Sequence, residues 1–208
     1  MKHFLLILLL TFTTKILAQD IVVIKHTNYT THFSKSKRYP VLVEWETTHA
    51  MVGCPTPLKR KDNFKPDPQL PVETNIGADY VKSGYDRGHV MPAADNLCQT
   101  PQVQDECFYF SNMVAQTHRL NAGDWKSLET ATRNWALISA KVKVWSGSVG
   151  EQKKIGSVSV PTQCWKVVEI AGKKTAYLFN NDLSNPDGFA NNEVPLAQIE
   201  KLTGFTFK

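Results

Sequence analysis

The sequence predicts an α+β fold in which helices flank a central antiparallel sheet. Segments with the alternating or uniformly apolar pattern of strands outnumber the helical segments. They also do not alternate regularly with helices, as the strands of a parallel sheet would. No linker, low-complexity tract or internal repeat divides residues 19–208, and their number suffices for one domain with a sizeable core. We therefore expect a single domain over these residues.

The predicted elements follow one another along this domain. A main helix is expected from Asn121 to about Ile138, because Trp125 and Leu128 begin a stripe at helical spacing. A shorter helix is expected at residues 194–202. Strand patterns occupy residues 21–25, 41–45, 108–112, 140–146, 157–160, 164–170 and 175–179.

Residues 1–18 have the pattern of a secretory signal peptide, with a charged start, a short apolar core and small residues near Ala18. Thr11, Thr13 and Lys15 interrupt the apolar run, which is too short for a convincing membrane span. An uncleaved anchor is the alternative interpretation. We expect cleavage after Ala18, a mature chain without a membrane segment, and a secreted or periplasmic location.

Cys54, Cys98, Cys107 and Cys164 are the cysteines of this chain. Cysteines of an exported protein are usually paired, and four of them allow three connectivities. A bridge between Cys98 and Cys107 would close a short polar loop and is the simplest choice. Cys54 and Cys164 would then form the second bridge by subtraction.

Positive charge is concentrated in two parts of the chain, although the formal net charge of +5 is modest. Basic side chains cluster in residues 35–38 and again in residues 59–65. Such clusters can follow a polyanion without reading its sequence. A solvated loop surface explains either cluster equally well. Because no recognition helix or zinc finger is apparent, contacts to phosphate and sugar should dominate.

Residues 85–96 contain the most informative group of polar side chains. An imidazole with an unperturbed pKa of about 6.5 is neutral near pH 7, which makes His89 a candidate general base. The Arg87 guanidinium can form two parallel hydrogen bonds to a phosphate. In an extended segment both side chains would leave one face, with Asp86 on the other, and Gly88 would allow close approach of a nucleic-acid backbone. An ordinary surface turn is the alternative for this tetrapeptide alone.

A second group of polar residues lies on the predicted main helix. Asn121 and Glu129 are near neighbours two turns apart, and Arg133 follows Glu129 at the spacing of a helix-surface ion pair. An amide oxygen suits Mg²⁺, which takes few protein ligands, and a nearby carboxylate can hold one of its waters. The alternative is a helix cap at Asn121 and a solvated Glu129–Arg133 pair, the more common use of such residues.

Three motifs occur in order along the chain: Asp86-Arg87-Gly88-His89; Ser111-Asn112-Met113 with Gln116; and Asn121, Trp125, Leu128-Glu129 and Arg133. This ordered set resembles the DNA/RNA non-specific endonuclease family, whose core is a ββα-metal (His-Me finger) motif. The likeness extends over nearly all of the chain after the leader. It implies a ββα-metal core inside the α+β fold.

The resemblance also implies roles for the residues that match. His89 corresponds to the general base, Asn121 to the single protein ligand of a Mg²⁺ ion, and Glu129 to the residue that holds metal-bound water. Mn²⁺ or another divalent cation is an alternative metal. Arg87 and Arg133 match arginines that contact phosphate.

Asn112 matches an asparagine of the active site near the histidine. The activity implied is cleavage of DNA and RNA with little sequence preference, leaving 5′-phosphate ends, and the substrates would be the partners. The sequence carries no signal for an oligomeric state. Two alternatives are a non-catalytic nucleic-acid-binding protein on the same scaffold and a phosphodiesterase or phosphatase for small nucleotides.

Overall fold

A seven-stranded antiparallel sheet forms the centre of the protein, with strand order β1-β2-β3-β6-β9-β10-β11. The structure is a computed structural model and describes residues 20–207. Two further pairs, β4-β5 and β7-β8, form separate two-stranded sheets. The predicted α+β class is confirmed. The strands are β1 (Ile21–Lys25), β2 (Tyr29–Ser34), β3 (Tyr39–Thr48), β4 (Asp86–His89), β5 (Met113–Gln116), β6 (Lys141–Val149), β7 (Lys153–Ile155), β8 (Val158–Val160), β9 (Gln163–Ile170), β10 (Lys173–Asn180) and β11 (Glu193–Val194).

Helices cover the two faces of the central sheet. On one face Leu128 and Ala136 of the longest helix pack with Trp45, Val144 and Val168, and the last three are register partners on adjacent strands. The opposite face is covered by the C-terminal helix and the chain end after it. The helices are α1 (His49–Val52), α2 (Pro101–Glu106), α3 (His118–Leu120), α4 (Lys126–Ser139) and α5 (Leu196–Thr203).

Strands β4 and β5 and helix α4 form the predicted ββα unit. The two strands pair antiparallel, with His89 opposite Met113 and Asp86 opposite Gln116. A π-helical turn, Asn121–Trp125, joins α3 to α4. Gly123 has non-helical φ and ψ of −99° and −114° in this turn. The predicted helix from Asn121 to Ile138 therefore exists, but its regular part begins five residues later than expected.

The predicted strand at residues 108–112 is wrong. Residues Phe110–Asn112 form a single 3₁₀ turn, and the strand follows at Met113–Gln116. The chain turns there because the Asn112 side chain bonds to the backbone of Met91 and Cys107. The aromatic run that suggested a strand is buried for packing instead, with Phe108 and Phe110 at most 3% exposed.

The predicted disulfide connectivity is also wrong. Cys54 bonds to Cys98, and Cys107 and Cys164 are buried free thiols. The Cys98 backbone N–H donates to the carbonyl of Met51, which brings Cys98 beside the segment that leaves α1. Cys107 instead turns into the core. Proximity along the chain was therefore a poor guide to which thiols meet.

The predicted signal peptide, residues 1–18, lies outside the described residues. Between residues 20 and 207, no helix has the length and apolar character needed to cross a bilayer.

Candidate active site

His89 ends strand β4 with its ring buried between aromatic side chains. The side chain is 8% exposed, and its ring centroid lies 4.9 Å from that of Phe108 and 5.6 Å from that of Phe64. The Trp125 indole donates a hydrogen bond of 3.1 Å to the His89 carbonyl, which ties β4 to the start of α4. The Nε2 atom of His89 has no hydrogen-bond partner among residues 20–207. The ring is therefore fixed in orientation with a nitrogen left unpaired.

The environment of His89 favours the neutral imidazole. Burial lowers the pKa of His89 to about 3, and the positive charges of Arg60 and Arg87 act in the same direction. At neutral pH the ring is therefore uncharged.

Arg87 is an exposed side chain on the same strand. Its guanidinium lies 4.1 Å from the ring centroid of Phe64, a cation–π contact that supports it beside His89. Arg60 reaches the same region from the loop after α1 and lines the cavity that contains His89. The predicted sharing of one face by Arg87 and His89 is consistent with this arrangement.

Asn121 is held by Asp86, the first residue of β4. The Asn121 amide nitrogen donates to Asp86 Oδ2 at 2.9 Å, and His118 Nδ1 lies 2.8 Å from the same oxygen. Since the amide nitrogen is used in this way, the amide oxygen is the donor atom that Asn121 offers to a metal. Asp86 therefore orients the side chain of Asn121.

Glu129 lies in the first turn of α4 above a buried lysine. Lys166 of β9 is 1% exposed, and its Nζ lies 4.1 Å from the centroid of the Trp125 ring. Burial raises the pKa of Glu129 to about 7, an effect that the positive charges of Lys166 and Arg133 oppose. Burial lowers the pKa of Lys166, and the negative charge of Glu129 opposes that change. The two groups therefore stabilise each other's charged form.

Arg133 pairs with Asp95 rather than with Glu129. Its Nη1 lies 3.3 Å from Asp95 Oδ1, while Trp45 and Thr47 donate to the other carboxylate oxygen. Asp95 is 1% exposed, and a carboxylate this deeply buried needs a nearby cation to offset its desolvation. The predicted ion pair between Glu129 and Arg133 is replaced by one between Arg133 and Asp95. The Glu129 side chain lines the cavity that contains His89.

Two residues of the motifs, Gly88 and Asn112, have structural roles and do not line the cleft. The Asn112 side chain is fully buried, accepts from the Met91 N–H and donates to the carbonyls of Met91 and Cys107, each at 2.9 Å. A Cβ on Gly88 would overlap the Gln116 side chain of β5. The expectation that Gly88 makes room for nucleic acid is therefore wrong, because the space at Gly88 is filled by Gln116.

One cavity of about 290 Å³ brings the remaining candidate residues together. No three His, Cys, Asp or Glu side chains converge as a metal cluster anywhere in residues 20–207. The cavity is basic at its rim, since Arg60 and Lys126 also line it. Its predicted members are Arg87, His89, Asn121, Glu129 and Arg133.

Sequence reasoning missed three residues that support this site. The sequence placed Arg60 only in a basic cluster and indicated no role for Asp95 or Lys166. The strand pattern at residues 165–168 gives no reason to expect that Lys166 is buried among tryptophan side chains. Asp95 lies in an ordinary polar turn. The only signal for Asp95 was its position in the 85–96 segment.

Comparison with known proteins identifies the family. Residues 11–208 match the sequence profile of the DNA/RNA non-specific endonuclease family. A nuclease of Nostoc sp. is 29% identical over 93% of this chain and 75% of its own. The mitochondrial nuclease EXOG of Xenopus laevis is 30% identical over 88% of this chain, which spans 57% of the Xenopus protein. A mitochondrial nuclease of Saccharomyces cerevisiae is 31% identical over 70% of this chain and 53% of its own.

A solved structure also resembles this fold. The chain matches a chain in the crystal structure of the EndoG/EndoGI complex with a TM-score of 0.79 and 28% identity, covering 89% of this chain and 84% of that one.

The expected secreted or periplasmic location is wrong by these comparisons, because several relatives, including the Xenopus and yeast proteins, are mitochondrial nucleases. With its ββα core, its cleft and its profile match, the chain belongs to the DNA/RNA non-specific endonuclease family.

Proposed function

We propose that this chain is a metal-dependent endonuclease that hydrolyses phosphodiester bonds of DNA and RNA with little sequence specificity and leaves 5′-phosphate ends. A single domain over residues 19–208 would carry the activity. The observation that supports it is a basic cleft that combines a neutral buried imidazole with an amide oxygen, a carboxylate and arginines. These groups suit the attack of water on a phosphodiester.

His89 acts as the general base. Its neutral ring takes a proton from the water that attacks phosphorus. Phe64 and Phe108 hold the ring, so little reorganisation is needed when the substrate binds. The negative charge of a bound phosphate opposes the effect of Arg60 and Arg87 on the ring and raises its pKa toward neutrality, which makes it a stronger base.

The arginines bind the charge that develops on phosphorus. Arg87 and Arg133 donate to the non-bridging oxygens, and losing a preorganised donor of this kind typically costs about 10²-fold or more in rate. Asp95 fixes Arg133 in the cleft. Asn112 acts indirectly, since its three bonds to backbone hold the turn that follows His89.

The donor set at Asn121 fits a hard divalent cation. Asp86 occupies the amide nitrogen, so the oxygen is available, and Glu129 adds negative charge in the same cavity. Mg²⁺ needs only one or two protein ligands, and Mn²⁺ or another divalent ion accepts the same oxygen donors. When bound, such an ion would neutralise charge on the phosphate and on the leaving oxygen.

Nicking of supercoiled plasmid, with and without EDTA, tests this proposal. The wild-type chain should cut plasmid, single-stranded DNA and RNA in Mg²⁺ and stop in EDTA. A non-catalytic binder would retard plasmid on a gel without cutting it. A small-nucleotide phosphodiesterase would hydrolyse bis(p-nitrophenyl) phosphate and leave the polymers intact, and either result would refute the endonuclease assignment.

A further inference from the structure

A second cavity adjoins the catalytic cleft. It has a volume of about 490 Å³, within the range of about 300–1,000 Å³ that is usual for small-ligand sites. Arg60, Arg87 and Asn121 line both cavities. Because three side chains form a shared wall, whatever occupies the second cavity lies directly beside a phosphate bound in the first.

The inner walls of this cavity are aromatic. Phe64, Tyr80 and Tyr85 line it. Tyr80 is 6% exposed, and its hydroxyl has no hydrogen-bond partner among residues 20–207. A buried hydroxyl without a partner is costly unless a ligand or water completes it. Aromatic faces with polar tips suit a nucleobase, since base stacking on aromatic side chains tolerates every sequence.

Three cations, Arg60, Lys82 and Arg87, and two carboxylates, Asp62 and Asp86, line the cavity. Asp62 is paired with Arg60, and Asp86 accepts a hydrogen bond from Asn121. Lys82 is exposed at the rim and has a φ of +56°, a left-handed conformation that side-chain-bearing residues rarely adopt. Lys153 of β7 contacts the ring of Tyr85, with its Nζ 4.9 Å from the ring centroid. Two ammonium groups are therefore associated with the cavity, one on a lining residue and one stacked on the ring of Tyr85.

We propose that this cavity binds the nucleoside next to the scissile phosphate, with Tyr85 against the base and with Lys82 and Lys153 against the following phosphate of the strand. The inference rests on the proposed function and extends it. Binding then uses at least two consecutive phosphates of the strand, because an isolated phosphodiester leaves the second cavity empty.

Lys82→Gly is the sharpest variant for this test. Glycine adopts a positive φ at no steric cost, so the variant removes the cation without straining the turn. No residue of the basic cluster at 35–38 lines either cavity, which favours a solvated loop surface for that cluster. Arg38→Gly is therefore a matched control, since Arg38 has a φ of +55° in the turn between β2 and β3. Lys82→Asn repeats the test with a neutral side chain that tolerates the same conformation.

The first measurement is the KM for a single-stranded oligonucleotide as a function of salt. Lys82→Gly and Lys82→Asn should raise the KM about fivefold at low salt and lower the slope of log KM against log salt by about 0.7, the contribution of one phosphate contact on a single strand. Arg38→Gly should retain the wild-type KM and slope. Equal slopes in all four proteins, or an equal change in Arg38→Gly, would overturn the inference.

The second measurement separates this inference from the proposed function. Binding of a fluorescein-labelled oligonucleotide in EDTA is followed by anisotropy, which needs no turnover. Weaker binding by the Lys82 variants alone supports the cavity even if the wild-type chain cuts nothing, a result that would refute only the endonuclease assignment. Equal dissociation constants for the wild type and the Lys82 variants refute the cavity, even when cleavage is normal.

Discussion

The imidazole of His89 is the group on which turnover should depend most directly. His89→Ala removes the proton acceptor from the cleft, and general-base catalysis typically contributes about 10²–10⁴-fold. We therefore expect plasmid nicking to fall by about this factor, while circular dichroism and thermal unfolding report a folded protein. His32→Ala, in β2 and outside both cavities, is the control and should cut normally. A folded His89→Ala chain that cuts at the wild-type rate would contradict the assignment.

The buried imidazole should also affect stability in acid. The folded protein keeps His89 neutral down to about pH 3, whereas the unfolded chain protonates it near its ordinary pKa of about 6.5. The unfolded state therefore binds more protons in this window, and the free energy of unfolding falls as the pH decreases from about 6.5 toward 3. Urea unfolding of wild type and His89→Gln at several pH values measures this. The variant should show the weaker pH dependence, and parallel curves would argue against a buried neutral imidazole.

At the scale of elements, the β4-β5 pair depends on the contact between Gly88 and Gln116. A Cβ at position 88 would overlap the Gln116 side chain, which is fully buried and cannot move into solvent. Gly88→Ala should destabilise the protein by about 1–3 kcal/mol through overpacking. The Gly88→Ala substitution should cost less stability in a Gln116→Ala background than in the wild-type protein, because the overlapping side chain is then absent. Denaturant unfolding of all four proteins gives the coupling, and strictly additive effects would count against the contact.

The disulfide between Cys54 and Cys98 ties the segment after α1 to the turn that contains Asp95. It joins residues separated by 44 positions, for which the chain-entropy model gives a stabilisation of about 4 kcal/mol. Dithiothreitol should therefore lower the Tm of the wild-type protein. The Cys54→Ala/Cys98→Ala variant should have the lower Tm from the start and show no response to the reductant. A response in that variant would mean that another pair of cysteines is bonded.

The elements that the sequence predicted well are those with strong local patterns. Helix α4 was found from the recurrence of Trp125 and Leu128, because a long amphipathic stripe has few alternative explanations. The aromatic run at residues 108–112 was misassigned, because its apolar character reflects burial and its conformation is set by Asn112 bonds to distant backbone. Strand β2 was missed, since threonine or serine occupies half of its six positions and obscures the apolar alternation.

At the scale of the whole molecule, the fold brings together residues from four separated parts of the chain. The motifs around His89 and Asn121 were evident in the sequence because each is continuous. Arg60, Asp95 and Lys166 join them only through tertiary contacts, so no local pattern indicates their role. The same reason explains the incorrect Glu129–Arg133 pair, since helical spacing cannot reveal a buried Asp95 that needs the same cation.

In the proposed mechanism, His89 and Asn121 act on the same phosphate, His89 as the general base and Asn121 as the metal ligand. A Mg²⁺ titration of single-turnover plasmid cleavage tests it most directly, with wild type, His89→Ala and Asn121→Ala compared. We predict that Asn121→Ala shifts the half-saturating Mg²⁺ concentration upward by about tenfold or more, in line with the loss of a metal ligand. His89→Ala should lower the maximal rate and leave the midpoint unchanged. An Asn121→Ala protein with the wild-type Mg²⁺ midpoint would contradict the account.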